Sequence, residues 1–281
     1  MKFAIIALAV LSAVRVFAGP YPPAAGQPGS DAVPATDPRI VGWATGVSAL
    51  QRGLVDISDS QSPFASFGAA ASALGPENAY DFSTGLPSTS PTTVVSLGDG
   101  GSITLTFANP LGDLPGPDFA VFENSFNDSF LELAFVEVSS DGVNFARFPT
   151  HSLTQTTQQI VQTNNQFNAI DPTDLDGLAG KYRAGWGTPF DLAVLAGRPF
   201  LDVQQITQVR VVDVIGSLDP LYARFDNSVP ARVINEPWPT PFATSGFDLD
   251  AIAVIQPAPE PASALLTSAG TALLAMRRRR R

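Results

Sequence analysis

The sequence predicts an all-β chain, a jelly-roll-like β-sandwich with long loops. Two observations lead there. Apolar residues recur with a period of two in short runs, as in Ser102-Ile103-Thr104-Leu105-Thr106-Phe107. Those runs are separated by turn-rich stretches, in a chain with 23 Gly and 25 Pro among 281 residues. Short strands punctuated in this way favour packed antiparallel sheets.

Taken in order, residues 19–38 are rich in Pro, Gly, Ala and Ser and predict an extended arm with little helix or sheet. Residues 39–256 form the predicted domain. Ile40, Val41, Trp43 and Val47 can begin it as a strand. Residues 63–74, rich in Ala and Phe, predict a short helix or irregular turn, and 87–93 a Ser/Thr/Pro loop. The clearest structure lies in 94–148. Gly98-Asp99-Gly100-Gly101 is a turn before the 102–107 strand. Residues 119–122 are apolar between Asp118 and Glu123, which predicts a buried strand. Residues 134–139 are another. Asp141-Gly142 then signals a hairpin, with 143–148 returning. Residues 152–168, rich in Thr, Gln and Asn, predict a loop with some strand, and 171–187 a loop. A short helix over 190–195 would end at Gly197. Val209 to Val214 are a convincing strand. Residues 218–246 are loop, because Pro237-Trp238-Pro239-Thr240-Pro241 forbids regular structure. Phe247, Leu249, Ile252 and Val254 mark the closing strand.

The termini carry addresses. Residues 1–18 combine a basic start, a short apolar core, and Val16 and Ala18 before Gly19, the pattern of a secretory signal peptide. Residues 257–281 hold Pro259-Glu260-Pro261, an uncharged apolar run over 262–276, then Arg277, Arg278, Arg279, Arg280 and Arg281. As a helix that run spans roughly 22 Å, short of a comfortable bilayer crossing. The arginines mark a cytoplasmic side.

This tail resembles the PEP-CTERM sorting signal of Gram-negative bacteria. The resemblance implies an exosortase as partner, a membrane transpeptidase-like enzyme that recognises and processes the tail. It also implies a transient transmembrane helix in the inner membrane and a cell-surface or extracellular destination. The body resembles a group of exported surface proteins through Gly98 to Ile103, Asp118 to Asn124, Glu137 to Gly142 and Phe247 to Ile252. Their order is similar to that of carbohydrate-binding and discoidin-like jelly rolls. That likeness implies architecture and not chemistry.

Of the 16 basic residues, seven lie in the two termini, leaving nine against 25 acidic ones, a body charge of about −16. Such a surface repels nucleic acid and anionic lipid and favours Ca²⁺ or neutral sugars. There are no cysteines, so disulfides, thiolate chemistry and Cys-ligated zinc are excluded. His151 is the single histidine, too little for a multi-His zinc site.

Candidate metal ligands are acidic. Asp171, Asp174 and Asp176 crowd a turn ending in Gly177, though no Glu closes an EF-hand loop. Asp118 and Glu123, with Asn124, flank a buried strand and can hold Ca²⁺ or cap strand ends. Asp248 and Asp250 alternate with Leu249. They are expected on one outward face, as metal ligands or, preferably, as charges protecting an edge strand. Trp186 and Trp238 sit on loops, as sugar-stacking indoles or as plugs under their own loops. Lys181, Tyr182 and Arg183 form the one basic cluster and can pin the 171–176 loop. The expected function is a non-catalytic binding or structural role on the cell surface or in the extracellular matrix, with extracellular polysaccharide as candidate partner. The alternative is a secreted polysaccharide-degrading enzyme using paired carboxylates.

Overall fold

The computed structural model describes residues 19–81, 83–87, 94–161 and 170–256. The signal peptide expected over 1–18 and the sorting signal expected over 257–281 lie outside them. Fifteen strands appear among the described residues. They are β1 (Val33–Pro34), β2 (Ile40–Trp43), β3 (Gly46–Gln51), β4 (Tyr80–Asp81), β5 (Leu86–Pro87), β6 (Val95–Ser96), β7 (Ser102–Leu111) and β8 (Phe119–Glu123). There follow β9 (Ala134–Ser139), β10 (Ala146–Arg147), β11 (His151–Ser152), β12 (Leu175–Asp176), β13 (Trp186–Phe190), β14 (Ile206–Asp213) and β15 (Asp248–Ile255).

Two antiparallel sheets make a sandwich-like body. The first runs β1-β13-β8-β15-β2, with β6 also paired to β15; the second runs β10-β9-β14-β7-β3. The chain is all-β. Its described helical pieces are single 3₁₀ turns at Ala70–Ala73, Pro172–Asp174 and Leu192–Leu195. No helix among the described residues is long and apolar enough to cross a membrane.

The sequence explains which strands lie deepest. β8 is apolar without alternation, and all five of its residues are buried. Both its neighbours are strands, and both its faces are covered. Phe119 and Val121 join Ile103, Leu105, Val136, Val138, Val209, Val211, Leu249 and Ile252 between the sheets. Ala120 and Phe122 point the other way, into a second cluster with Val33, Ala251 and Ala253, covered by Trp43. Continuous apolar runs mark strands buried on both faces. The inner cluster is finished by rings: Phe119 lies 5.3 Å from Phe190 and 5.8 Å from Phe148. Each such side chain contributes about 1.5–3 kcal/mol on burial.

Several expectations need correction. The 19–38 segment is tied down: β1 pairs with β13, and the Tyr21 amide donates to the Thr173 carbonyl at 3.2 Å. Residues 171–187 are not all loop, since β12 and the start of β13 lie there. The helix expected over 190–195 is a 3₁₀ turn capped by Asp191. β15 is not an edge strand. It is hydrogen-bonded to β8 on one side and to β2 and β6 on the other.

Candidate functional site

At one end of the sandwich six carboxylates converge from separate elements. Glu123 ends β8, Asp213 ends β14, and Asp248 begins β15. Glu132 lies just before β9, Asp99 in the turn before β7, and Glu236 in the 218–246 loop. None is more than 7 % exposed.

Most are held by amides. Asp213 accepts from the Gly100 amide at 2.8 Å and the Phe247 amide at 2.7 Å, tying the turn and the approach to β15 onto β14. Asp99 accepts from the Ile57 amide (2.8 Å) and the Trp238 indole N–H (2.9 Å). Glu236 accepts from the Leu133 amide, and Glu123 from the Ser125 amide at 2.7 Å. Asp248 receives the Ser96 hydroxyl and, at 3.3 Å, the Asn124 amide. Glu132 differs: no donor among the described residues reaches its carboxylate.

Positive charge is scarce here. None of the described ion pairs involves these six residues. Arg52 favours ionised Asp248, but its guanidinium donates to the carbonyls of Phe67, Ser96 and Gly68. Arg224 favours ionised Asp99 and Asp213, and donates to the Tyr222 carbonyl. Burial therefore dominates. It pushes Asp99 up to about 6, Asp248 to about 7 and Asp213 to about 8. Glu123, Glu132 and Glu236 rise well above the carboxylate range, through burial first and like charge second. For Glu132 the like charges are Asp248, Glu123, Asp213 and Asp99, in that order.

Asp250 stands apart from Asp248. A bulge between Leu249 and Ala251 breaks the alternation, so the two side chains reach different partners. Both are buried, which overturns the outward-facing pair. One Asp250 oxygen accepts from the Asn78 and Ala79 amides at 3.1 and 3.2 Å. Its Oδ1 and the Glu77 Oε1 are buried without partners. Burial raises Glu77 to about 7 and Asp250 to about 8.

The opposite end carries a smaller group. Asp118, Asp113 and Asp191 each place one oxygen within 4.8 Å of the others. Asp118 accepts from the Leu114 and Leu192 amides, both at 2.8 Å, and burial raises it to about 6. No other acidic trio of such closeness occurs among the described residues. Asp171, Asp174 and Asp176 are thus not brought together. Asp171 caps its 3₁₀ turn through the Thr173 amide, and Asp176 faces His151 across a two-strand ribbon. Arg183 binds Asp128 at 2.6 Å rather than that turn, and Lys181 is buried.

Trp186 is half-buried, with the Arg183 guanidinium 5.7 Å from its ring centre. Trp238 is half-buried and held by Asp99. More open aromatic faces occur elsewhere, with Phe200 the most exposed and Phe126 and Phe225 also outward. Phe64 and Phe242, 64 % and 55 % exposed, line a groove of about 380 Å³ with Asp56, Asp59, Gln61 and Ser62. Ser228 Oγ donates to Asp226 at 2.7 Å and lies 3.2 Å from His151 Nδ1. The hydroxyl sits between acid and imidazole, whereas a hydrolytic triad needs the imidazole in the middle.

Sequence reasoning missed Glu132, Glu236, Asp213, Asp99, Asp113, Asp191, Phe64 and Phe242. A usable signal was single acids set in apolar runs, as in Val-Val-Asp213-Val and Leu-Glu132-Leu-Ala. No family model, curated protein or solved structure matches this chain.

Proposed function

We propose that this is an exported, exosortase-sorted surface protein with a non-catalytic binding role. Its sandwich is of jelly-roll type, and its ligand is a neutral saccharide seated in the Phe64–Phe242 groove. The groove carries this reading. Two exposed rings offer flat apolar faces to a pyranose. Asp56 and Asp59 each spend one oxygen on their own loop, with the Ser58 and Gln61 amides at 2.9 Å. Their second oxygens and the Gln61 amide supply the few polar groups that fix orientation in such sites. The acidic body disfavours polyanions.

Affinity electrophoresis of the full chain through gels containing neutral extracellular polysaccharide tests this. Retardation is expected, and lost in the Phe64→Ala/Phe242→Ala double variant. Equal mobility with and without polysaccharide would remove the reading. Release of reducing ends, abolished by Asp59→Asn, would replace it with the polysaccharide-degrading enzyme.

A further inference from the structure

The start of the 19–38 arm is seated on the 3₁₀ turn at 172–174. The Gly19 nitrogen donates to Thr173 Oγ1 at 2.7 Å, and the Tyr21 amide to the Thr173 carbonyl at 3.2 Å. The Tyr21 ring stacks on His151, with ring centres 6.1 Å apart. Gly19 has no room for a side chain. An added Cβ would lie 2.1 Å from the Thr173 carbonyl oxygen and 2.6 Å from Asp174 Oδ1. The Gly19 nitrogen is two bonds from that Cβ position, so it lies within about 5 Å of the Asp174 carboxylate. Asp174 is half-buried, and no cation among the described residues forms an ion pair with it. Burial, and then the charge of Asp171, hold its carboxyl above the usual range. Arg232 offsets this only in part, since its guanidinium donates to the Ser152 carbonyl. The niche is therefore short of positive charge.

Gly19 is also the residue that follows the signal-peptide pattern, with Val16 and Ala18 just before it. We propose that removal of residues 1–18 creates an α-ammonium on Gly19 that docks here, donating to Thr173 Oγ1 and to the Asp174 carboxylate. The inference rests on the exported reading given above. Hydrolysis by a signal-peptide-cleaving peptidase adds water across the Ala18–Gly19 bond. Ala18 leaves as a carboxylate, and Gly19 keeps the electron pair of the broken C–N bond as an amine, protonated at neutral pH. The amide of the precursor offers one donor and no charge. The ammonium offers three donors and a full charge, so processing supplies an ion pair that the precursor lacks. Only glycine lets the terminus approach this closely.

The chain is well suited to the test. Its two lysines are Lys2, within residues 1–18, and Lys181, which is 2 % exposed. Acetylation of the folded, processed protein therefore marks the α-amine alone. The full chain is exported from a Gram-negative host and its first residue read by intact mass; Gly19 is expected. The ammonium ion does not react, so acetylation at neutral pH is expected to be about tenfold slower in the wild type than in Asp174→Asn. Acetylation should lower the melting temperature of the wild type and leave that of Asp174→Asn unchanged, because the pair is already broken there. If Asp174→Asn fails to fold, the melting shift of the acetylated wild type decides alone. Equal acetylation rates, or a wild-type melting temperature indifferent to acetylation, would overturn the docking and leave export standing. So would a processed chain that begins at another residue. A chain recovered with residues 1–18 still attached would overturn both readings.

Discussion

Glu132 and Glu137 stand five residues apart, each is 7 % exposed, and their surroundings are opposite. Glu137 lies on β9 between two arginines. Its Oε1 is 2.8 Å from Arg147 and its Oε2 2.5 Å from Arg210. Those guanidinium groups also rest on rings, Arg210 at 3.8 Å from Phe145 and Arg147 at 4.1 Å from Phe135. Among the described residues Glu132 has neither cation nor donor. Equal burial therefore does not mean equal stability, because the partner decides the sign. The face of the second sheet is complete with protein atoms alone. The carboxylate end has no such ion pair among the described residues.

Four measurements can break or sharpen that contrast. The largest effect is expected at Asp213. Asp213→Ala orphans the buried Phe247 amide and removes the partner of the more exposed Gly100 amide, and should cost about 2–3 kcal/mol in urea unfolding. A loss below about 1 kcal/mol would show that water replaces the carboxylate. Next, Glu137→Ala leaves two partly exposed arginines without their acid and should cost about 1–2 kcal/mol, while Glu132→Gln should be neutral or stabilising. Equal losses at the two positions would erase the difference drawn here.

The third is pH. Burial raises the folded pKa of Asp213 to about 8 from an ordinary value of 3.8. Between those values the native state keeps a proton that the unfolded chain has released, so stability falls as pH rises from about 4 to about 8. Asp118, at about 6, confines its own fall to the window from about 4 to about 6. Melting temperatures should therefore be higher at pH 5 than at pH 8. A melting temperature that climbs across this range would contradict the assignment. The smallest effect is at Phe64. Its ring is already in solvent, so Phe64→Ala should change stability by less than about 0.5 kcal/mol while weakening polysaccharide retention.

The inner strands were legible where local pattern and tertiary burial agree. β7, β8, β9, β14 and β15 announce themselves through period-two or continuous apolar runs. β13 does not, because Gly187 and Pro189 weaken it as a strand signal. Yet Gly187 is required: an added Cβ would lie 2.7 Å from the Phe122 ring. β1 is two residues in a Pro-rich arm, fixed by its partner and not by its own composition. The carboxylate end was partly legible. Glu123 and Asp248 stood out because they border strands, but Glu132 and Glu236 lie far apart in sequence. Their convergence comes from sheet topology, which no local spacing encodes. The edge-strand reading of Asp248 and Asp250 failed for the same reason: β2 and β6 cover an edge that the sequence leaves open.

The direction of β15 has a geometric consequence. It begins at the carboxylates and finishes beside Asp118, where the Ile255 amide donates to the Asp118 carbonyl and the Gln256 amide to that of Arg39. The polypeptide thus departs from the pole opposite Phe64 and Phe242. Any tether acting on residues 257–281 would hold the body by its base, leaving the groove turned away from the point of attachment.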